Sequence, residues 1–259
     1  MTAGTSLLSF VTCVSNDVTV RTNLLASPCL APESALQVVV VRNCPSAADG
    51  LNIGIARSET EWVVSVHQDV WLPAGWDRCV LEQLNEAERR FGPIGVAGVY
   101  GVGEVIASGD LTQPLAAERI DWVVDRGRVL RDGPELPSKV ATLDELLLVV
   151  RRDSGLRFDP ALGFHFYGAD ICLQAREQGL AVVALAAPCH HNSRSVGLPE
   201  GFFASAEVFA RKWANRLPVA TPCVVFDRQG RMHLLGNADG RTGSVARGVV
   251  ITRRASGAG

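Results

Sequence analysis

Short apolar runs alternate with amphipathic segments along the first half of the chain, and this alternation constrains the fold more than any other feature. Residues 9–15, 36–41 and 62–66 are valine-rich runs, and the continuous run at 36–41 suits a strand buried on both faces. Residues 46–57 and 77–90 place apolar side chains at helical spacing. We therefore expect an α/β fold, in which helices connect the strands of a sheet.

The second half of the chain is less regular. Residues 101–139 contain many Gly, Asp, Arg and Pro residues, a composition that predicts hairpins and loops. Gly179 follows an amphipathic segment at the position of a helix C-cap. The remaining predicted elements are a helix at 17–26, strands at 94–100, 146–151 and 180–187, and helices at 171–178 and 199–216.

The composition changes after Pro218, and this change predicts a domain boundary. Residues 218–259 contain six arginines and two acidic residues. We expect a hairpin of residues 223–226 with 232–235, followed by a flexible basic tail whose last ten or so residues are poorly ordered. The predicted organisation is a domain at 1–217 and a hairpin with tail at 218–259.

Composition and charge exclude several classes of function. Apolar residues make up 47% of the chain and charged residues 20%, as in ordinary globular proteins. The 25 basic and 27 acidic residues leave a formal net charge of −2, so we expect no nucleic-acid partner. The longest apolar runs have about ten residues. A membrane span needs roughly 20, so we expect no membrane span.

The N-terminus and the cysteines indicate a cytoplasmic protein. The sequence starts without the basic segment and long apolar run of a secretory signal. Its seven cysteines form no C-x-x-C pair, and most lie in apolar segments, as buried thiols do in a reducing compartment. Cys189 is the exception, because it adjoins His190 and His191 and is a candidate metal ligand.

Polar residues follow four of the predicted strands. They are Asn16 and Asp17 after the first strand, Arg42 and Asn43 after the second, His67, Gln68 and Asp69 after the third, and His190, His191 and Asn192 after the late strand at 180–187. Ligands of α/β proteins bind beyond the carboxyl ends of parallel strands. We expect these four groups to share one edge of one sheet and to form the functional site.

His67 and Asp69 are candidate metal ligands. In an extended chain, residues two positions apart point to the same side. Carboxylate and imidazole ligands suit Mn²⁺, and also Zn²⁺ or Fe²⁺, and a cation there helps a diphosphate to leave. A polar turn that merely ends the strand is the alternative interpretation. The adjacent His190 and His191 point opposite ways in an extended chain, so we expect one of them to reach this site.

Asp170 has two interpretations. It directly precedes the predicted helix at 171–178, where an aspartate is a common N-cap. It is also a candidate general base, provided that its side chain faces the same cleft as Asp69. The pattern alone leaves both roles open.

Four segments, taken in order, resemble bacterial glycosyltransferase family 2-like proteins. They are residues 10–17 (FVTCVSND), 62–73 (WVVSVHQDVWLP), 158–175 (FDPALGFHFYGADICLQA) and 187–193 (APCHHNS). The second segment is similar to the family variant in which H-Q-D-V stands in place of D-x-D. The resemblance covers about residues 7–215. It implies a GT-A-type, Rossmann-like mixed sheet with helices on both faces, followed by the short C-terminal hairpin and tail.

The resemblance implies roles for the matching residues. Asp69 is the main metal ligand, His67 contacts the metal or the nucleotide, and His191 is the third ligand. The implied cofactor is Mn²⁺ or Mg²⁺. Asp170 is the implied catalytic base, which deprotonates the acceptor hydroxyl. Two positions depart from the family pattern: His67 replaces an acid, and Gly168 stands where many relatives have a second acid.

The resemblance also implies a nucleotide-binding pocket. Its expected members are Thr12, Val14, Asn16, Asn43, Asn52, His67 and Gln68. Asp144 falls in a segment that lies near the donor sugar or the acceptor in the family. The expected partners are therefore a nucleotide-diphosphate sugar as donor and a small molecule or glycan as acceptor.

The implied function is metal-dependent sugar transfer of the hexosyl type, with inversion at the sugar carbon. A catalytically degenerate nucleotide-sugar-binding protein is one alternative, which the two departures from the family pattern allow. A zinc-dependent hydrolase is the other, with His67, Asp69, Cys189 and His191 as ligands. A homodimer is a further expectation, with the apolar helix around residues 202–213 serving as core or as interface.

Overall fold

The computed structural model describes residues 7–106, 115–193, 198–235 and 245–250. The α-helices of these ranges are α1 (Asp17–Thr22), α2 (Ala47–Arg57), α3 (Trp76–Phe91), α4 (Tyr167–Glu177) and α5 (Glu200–Lys212). The strands of these ranges are β1 (Leu8–Val14), β2 (Gln37–Arg42), β3 (Trp62–Val66), β4 (Val70–Trp71), β5 (Ile94–Gly98), β6 (Tyr100–Ile106), β7 (Ala116–Asp121), β8 (Val123–Asp125), β9 (Arg128–Leu130), β10 (Ser138–Lys139), β11 (Thr142–Leu143), β12 (Leu147–Arg151), β13 (Ala181–Ala184), β14 (His190–His191), β15 (Val219–Ala220), β16 (Val224–Phe226), β17 (Met232–Leu235) and β18 (Val245–Val250). None of the helices in these ranges combines the length and the apolar character that a membrane crossing requires.

The main sheet has seven strands in the order β10-β13-β5-β12-β3-β1-β2. β1 pairs in parallel with β2 and β3, and β13 pairs in parallel with β5. β12 runs antiparallel between β3 and β5, and the edge strand β10 is antiparallel to β13. The predicted α/β class with a mixed sheet is therefore confirmed.

Helices cover both faces of the main sheet, as the resemblance implies. α2, α4 and α5 share one hydrophobic core with Val11 of β1. α1 and α3 contribute to the other core, in which the rings of Phe10 and Trp76 lie 5.9 Å apart. Neighbouring residues of β1 thus serve different cores, because side chains alternate between the faces of a strand. Phe202 and Phe209 of α5 are buried, so the apolar face of this helix is core.

α2 lies very close to β1. The helix begins after Ser46, whose Oγ accepts a hydrogen bond from the Asp49 backbone N–H at 3.0 Å and donates one to the Asp49 carboxylate at 2.6 Å. A Cβ atom at Gly54 would lie 2.0 Å from Cγ1 of Val11. Glycine at position 54 is therefore what allows the helix to approach the strand this closely.

β2 differs from its predicted environment. The sequence predicts that residues 36–41 form a strand buried on both faces, but β2 is the edge strand of the main sheet, and of its four valines only Val41 is buried. Val39 packs against one core, and Val38 and Val40 pack against the other. The run is apolar because it faces both cores, and its edge position leaves it partly exposed.

The predicted helix at 17–26 ends early. α1 stops at Thr22, because Asn23 has φ −121° and ψ −88° and its side-chain amide donates to the Thr19 carbonyl at 2.9 Å. A short 3-10 turn at Leu24–Ala26 follows. An asparagine side chain that binds a backbone carbonyl competes with the helix in this way.

A second sheet contains the C-terminal strands, in the order β11-β6-β7-β18-β17-β16-β15. The predicted hairpin is confirmed, since β16 pairs with β17 and places Val224 opposite Leu234. The end strands of this sheet meet where Thr142 Oγ1 donates to the Ala220 carbonyl at 2.7 Å. Residues 101–139 supply β6 to β10, as the predicted hairpins require, but the local sequence does not encode the pairing of β7 with the C-terminal strand β18. The tail beyond residue 250 lies outside the described residues.

A third, small sheet has the order β4-β14-β8-β9. The strand predicted at 180–187 is shorter in the structure, because β13 ends at Ala184 and the histidines that follow form the separate strand β14. β14 pairs antiparallel with β4 and parallel with β8. The expectation that all four polar groups lie on one edge of one sheet is therefore wrong for His190 and His191, which belong to this third sheet.

Candidate metal centre

Three side chains form a candidate metal centre. One ligand atom from each of His67, Asp69 and His191 lies within 4.8 Å of the other two. Nε2 of His191 is 3.6 Å from Oδ1 of Asp69, and the two imidazole rings have their centroids 5.8 Å apart. The Asp69 and His191 side chains keep 20% and 15% of their surface exposed, so the group is sheltered but reachable from solvent.

The backbone brings these residues together in two steps. The chain turns after β3, where the Val70 N–H donates to the His67 carbonyl at 3.2 Å, instead of continuing as the extended segment that the sequence predicts. β14 then pairs with β4 in the register that places His191 opposite Val70. The pairing of β14 with β4 thus supplies the third side chain from a distant part of the sequence.

Asp125 orients His191. β8 pairs with β14 so that Asp125 lies opposite His191, and its Oδ1 is 2.8 Å from Nδ1 of the imidazole. A carboxylate on one ring nitrogen fixes the tautomer and leaves the other nitrogen for a metal. Sequence reasoning missed Asp125, because it lies in a predicted loop region and its partner is set only by the pairing of β8 with β14.

The protonation states of His67 and Asp69 suit metal binding, whereas His191 must lose a proton that its neighbours stabilise before it can bind a cation. Burial, assisted by the neighbouring His191, holds the pKa of His67 below its ordinary value. Burial works to raise the pKa of Asp69, but hydrogen bonding to His191 and the charge of His67 bring it below the ordinary value. Burial also works to lower the pKa of His191, and the bond to Asp69 outweighs this and raises it. A neutral His67 and an ionised Asp69 are the forms that bind cations.

Replacement of Asp125 by asparagine is expected to weaken Mn²⁺ binding by about 10- to 100-fold, because His191 loses the carboxylate that orients it. The dissociation constant for Mn²⁺ is measured by calorimetric titration, with Asp153→Asn as the matched control in the exposed turn at Arg152–Ser154. Equal Mn²⁺ affinity in Asp125→Asn and wild type would show that Asp125 does not orient the ligand.

Gln68 connects the metal-centre turn to the loop after β1. Its Oε1 accepts hydrogen bonds from the backbone N–H groups of Ser15 at 3.1 Å and Asn16 at 3.0 Å, and its Nε2 donates to Ser15 Oγ at 2.8 Å. The Asn16 side chain in turn caps α1, accepting from Val18 at 2.9 Å and Thr19 at 3.0 Å. Gln68 and Asn16 therefore lie at the same end of the sheet as the metal centre.

The other predicted nucleotide-pocket residues are placed differently. Asn43 is exposed just after β2 and has φ +57°. Thr12 and Val14 are buried in β1, and the Thr12 hydroxyl has no hydrogen-bond partner among the described residues. The Asn52 side chain forms two hydrogen bonds with the backbone of Phe158: its Nδ2 donates to the carbonyl at 2.7 Å, and its Oδ1 accepts from the N–H at 3.0 Å. The structure thus brings only some of these residues to the loops around the metal centre.

Asp170 is fully buried and joins α4 to α5. Its Oδ1 accepts from Trp213 Nε1 at 2.8 Å and lies 2.7 Å from Lys212 Nζ, and its Oδ2 accepts from Gln174 Nε2 at 2.6 Å. The N-cap interpretation is wrong, because α4 begins at Tyr167 and Asp170 lies inside its first turn. These contacts support a packing role, and the role as catalytic base stays a prediction.

The two residues that precede His191 in the chain, Cys189 and His190, do not join it in the group of three ligands. His190, its neighbour, packs edge-on against Trp71 with ring centroids 5.1 Å apart. Cys189 is buried, and burial raises the pKa of its thiol. Among the described residues the group of three ligands does not include Cys189. A four-ligand zinc site that uses this thiol therefore has no support from the geometry.

Comparison with known proteins places the chain in a family. Residues 9–213 match the sequence model of a glycosyltransferase-like family, so the chain belongs to that family. The resemblance to family 2-like glycosyltransferases is confirmed. One curated relative, the protein of "ATP synthase subunits region ORF 6" from Fuscovulum blasticum, is 31% identical over 168 residues. This alignment covers 63% of the chain and 64% of that relative, so the chain spans less than two thirds of the relative's length.

Solved structures similar to this chain include S. aureus TarS, alone and in complex with UDP-GlcNAc, and A197 from STIV. Residues 1–349 of S. aureus TarS give a TM-score of 0.47 at 14% identity, with 80% of this chain and 65% of that chain covered. The same protein in complex with UDP-GlcNAc gives a TM-score of 0.45 at 13% identity, with 80% of this chain and 66% of that chain covered. A197 from STIV gives a TM-score of 0.42 at 11% identity, with 91% of this chain and 97% of that chain covered.

Proposed function

We propose that the chain transfers a hexosyl group from a nucleoside-diphosphate sugar to a hydroxyl of a small-molecule or glycan acceptor, with inversion and with the help of Mn²⁺ or Mg²⁺. The observation that carries this proposal is the group His67, Asp69 and His191 in a chain of the glycosyltransferase-like family. The group lies beyond β3, where ligands of α/β proteins bind.

The donor set fits the proposed cation. Two imidazoles and one carboxylate are ligands that Mn²⁺ accepts. The protonation states of His67 and Asp69 are those required, and Asp125 provides the outer-shell carboxylate that metal-binding histidines commonly have. A cation held there supplies positive charge that stabilises a diphosphate as a leaving group.

The chain's own residues have separate tasks in this proposal. Asp125 holds the His191 imidazole in one orientation, and Gln68 holds the loop after β1 against the metal-centre turn. The acceptor hydroxyl must give up its proton as it attacks the sugar carbon. Asp170 is the base that the resemblance implies, although its carboxylate binds Trp213, Lys212 and Gln174 in this structure.

The test is a melting-temperature screen against UDP, GDP, TDP and CDP, each with and without Mn²⁺. A ligand that binds only the folded state at about 100 times its dissociation constant stabilises by about 2.7 kcal/mol, which raises Tm by about 5–10 °C. We expect such a shift with one nucleotide, and only with Mn²⁺. His191→Ala should abolish the shift, whereas His190→Ala should keep it because His190 packs against Trp71.

The outcomes separate the proposal from its alternatives. Absence of a shift with every nucleotide, or a shift that does not need Mn²⁺, would contradict the proposed site. A shift without release of nucleoside diphosphate from the matching sugar nucleotides would favour the degenerate binder. Release of that product in the presence of an acceptor supports transfer.

A further inference from the structure

Glu145 lies against the beginning of α4, and no sequence pattern selects it. Its Oε1 accepts a hydrogen bond from the Gly168 backbone N–H at 3.4 Å. The backbone amides of Phe166 and Tyr167 also act on this carboxyl group and work to lower its pKa. The side chain comes from the short link between β11 and β12, so it reaches the helix from a different part of the chain.

The absence of a side chain at Gly168 makes room for Glu145. A Cβ atom at position 168 would lie 2.8 Å from Cγ of Glu145 and 3.2 Å from the Leu143 carbonyl oxygen. Real Cβ atoms are essentially never found at the first of these distances. Glu145 therefore occupies the space that a side chain in the first turn of α4 would take.

Tyr167 connects Glu145 to the metal centre. It directly precedes Gly168, whose backbone N–H donates to the Glu145 carboxyl group. Its hydroxyl lies 3.0 Å from Nε2 of His67. The carboxyl group and the metal centre are therefore separated by about one tyrosine side chain, which is a distance that a bound sugar donor and its acceptor can bridge.

A small cavity adjoins Glu145. Its volume is about 30 Å³, and its lining includes Asp144, Glu145, Phe202, Thr221 and Cys223. Such a volume holds a hydroxyl-sized group. Cys223 is exposed, so the cavity lies near the protein surface. Asp170, by contrast, is fully buried against α5.

We propose that Glu145 is the general base that accepts the proton of the acceptor hydroxyl. This inference rests on the proposed function. The acceptor oxygen forms a bond to the anomeric carbon, and the bond from that carbon to the donor's phosphate oxygen breaks. The electron pair of the broken bond leaves with the nucleoside diphosphate, and the acceptor proton moves to the Glu145 carboxylate.

The protonation behaviour of Glu145 fits this role. Burial, together with the neighbouring Asp144, raises its pKa to about 8, against the opposing effect of the α4 backbone N–H groups. A base is most effective when its pKa lies near the working pH. The other titratable groups that face Glu145 are Asp144, Tyr167, Cys172 and Cys223.

Wild-type turnover is therefore expected to rise with pH through about 8, as the Glu145 carboxyl group ionises. Burial raises the pKa of Cys172 to about 12, and raises that of Tyr167 well above its ordinary value. Neither of these two groups titrates in the same range. If turnover of the Glu145→Gln variant no longer rises with pH, the rise in the wild type is due to ionisation of Glu145.

A capping role for α4 is the competing explanation, and Glu145→Gln separates the two. The glutamine keeps an oxygen that accepts hydrogen bonds from the helix N–H groups, but it cannot accept the acceptor proton. We expect at least about 100-fold slower release of nucleoside diphosphate, with unchanged Tm and unchanged nucleotide-induced shift. Glu177→Gln, the same substitution at the exposed end of α4, is the matched control.

The assay follows nucleoside-diphosphate release from UDP-glucose, UDP-N-acetylglucosamine, GDP-mannose and dTDP-glucose, with water and with methyl glycosides as acceptors. Wild-type turnover in Glu145→Gln overturns the inference. A lower Tm together with loss of nucleotide binding in this variant also overturns it, because that result is expected if Glu145 only caps α4. Loss of turnover in Asp170→Asn alone returns the role to Asp170. An inactive wild type overturns the proposed function itself and this inference with it.

A second variant keeps the test decisive if Glu145→Gln folds poorly. Glu145→Ala removes the carboxyl group and also the Cγ atom that blocks position 168. Adding Gly168→Asp to Glu145→Ala returns a carboxylate to the same space from the helix. We expect turnover of the double variant to be at least about 10-fold faster than that of Glu145→Ala. Equal turnover in these two folded proteins contradicts the requirement for a carboxylate there.

Discussion

Asp69→Asn is expected to abolish Mn²⁺ binding and to slow sugar transfer by about 10³-fold. Asp69 is the only carboxylate in the group of three ligands found among the described residues. Asparagine has the same shape but no charge, so the site loses its single anionic ligand. In enzymes, a cation that stabilises a leaving group typically contributes several kcal/mol, and each 1.36 kcal/mol is about one factor of ten in rate.

Mn²⁺ affinity by titration and nucleoside-diphosphate release from the sugar nucleotide measure this effect. The fold should be retained, because asparagine occupies the same volume, and Tm without Mn²⁺ should fall only slightly through loss of the partly exposed Asp69–His191 pair. Asp153→Asn serves again as the matched aspartate control. Mn²⁺-dependent turnover at the wild-type rate in Asp69→Asn would show that the cation is held elsewhere.

Gly54→Ala is expected to destabilise the fold by about 3 kcal/mol. The added Cβ would lie 2.0 Å from Cγ1 of Val11 and 2.7 Å from its Cγ2, and Val11 is fully buried in β1. A clash with a packed strand cannot be relieved by a flexible side-chain end, so α2 must move away from the sheet. Overpacking of this kind costs about 1–3 kcal/mol and occasionally more.

Urea unfolding of Gly54→Ala and Gly201→Ala measures this difference. Gly201 is also helical, in the first turn of α5, but a Cβ there meets no atom within 4 Å. Alanine is favoured over glycine in helices, so Gly201→Ala should be neutral or stabilise by about 0.5 kcal/mol. If both variants unfold at the same urea concentration as wild type, α2 does not pack on β1 as described.

The elements of the main sheet could be predicted because each carries a local signal. The run at 62–66 and the buried strand β3 coincide, and α2 and α3 begin and end within one residue of the predicted segments. Hydrophobic periodicity and capping residues act over a few neighbouring residues, so the sequence displays them directly. The edge position of β2 has no such signal, because the apolar pattern is the same at the edge and in the centre of a sheet.

The candidate metal centre was only partly predictable. His67 and Asp69 are close in sequence, and the resemblance adds His191. Asp125 depends on the pairing of β8 with β14, and Glu145 depends on the approach of the β11–β12 link to α4. Both are long-range contacts that no pattern in the chain marks. The start of α4 was misplaced for the same reason, since Phe166 at φ +65°, and no local capping side chain, precedes it.

The three hydrogen bonds of Gln68 have a consequence for how the two halves of the site communicate. They join the loop after β1 to the turn that carries His67 and Asp69, so a displacement of one segment relative to the other breaks these hydrogen bonds. A ligand that orders the turn therefore also orders the loop. Its binding free energy then includes the free-energy change of ordering both segments. If the chain binds a cation and a nucleotide as proposed, thermodynamic linkage requires reciprocity: the factor by which the cation raises nucleotide affinity equals the factor by which the nucleotide raises cation affinity.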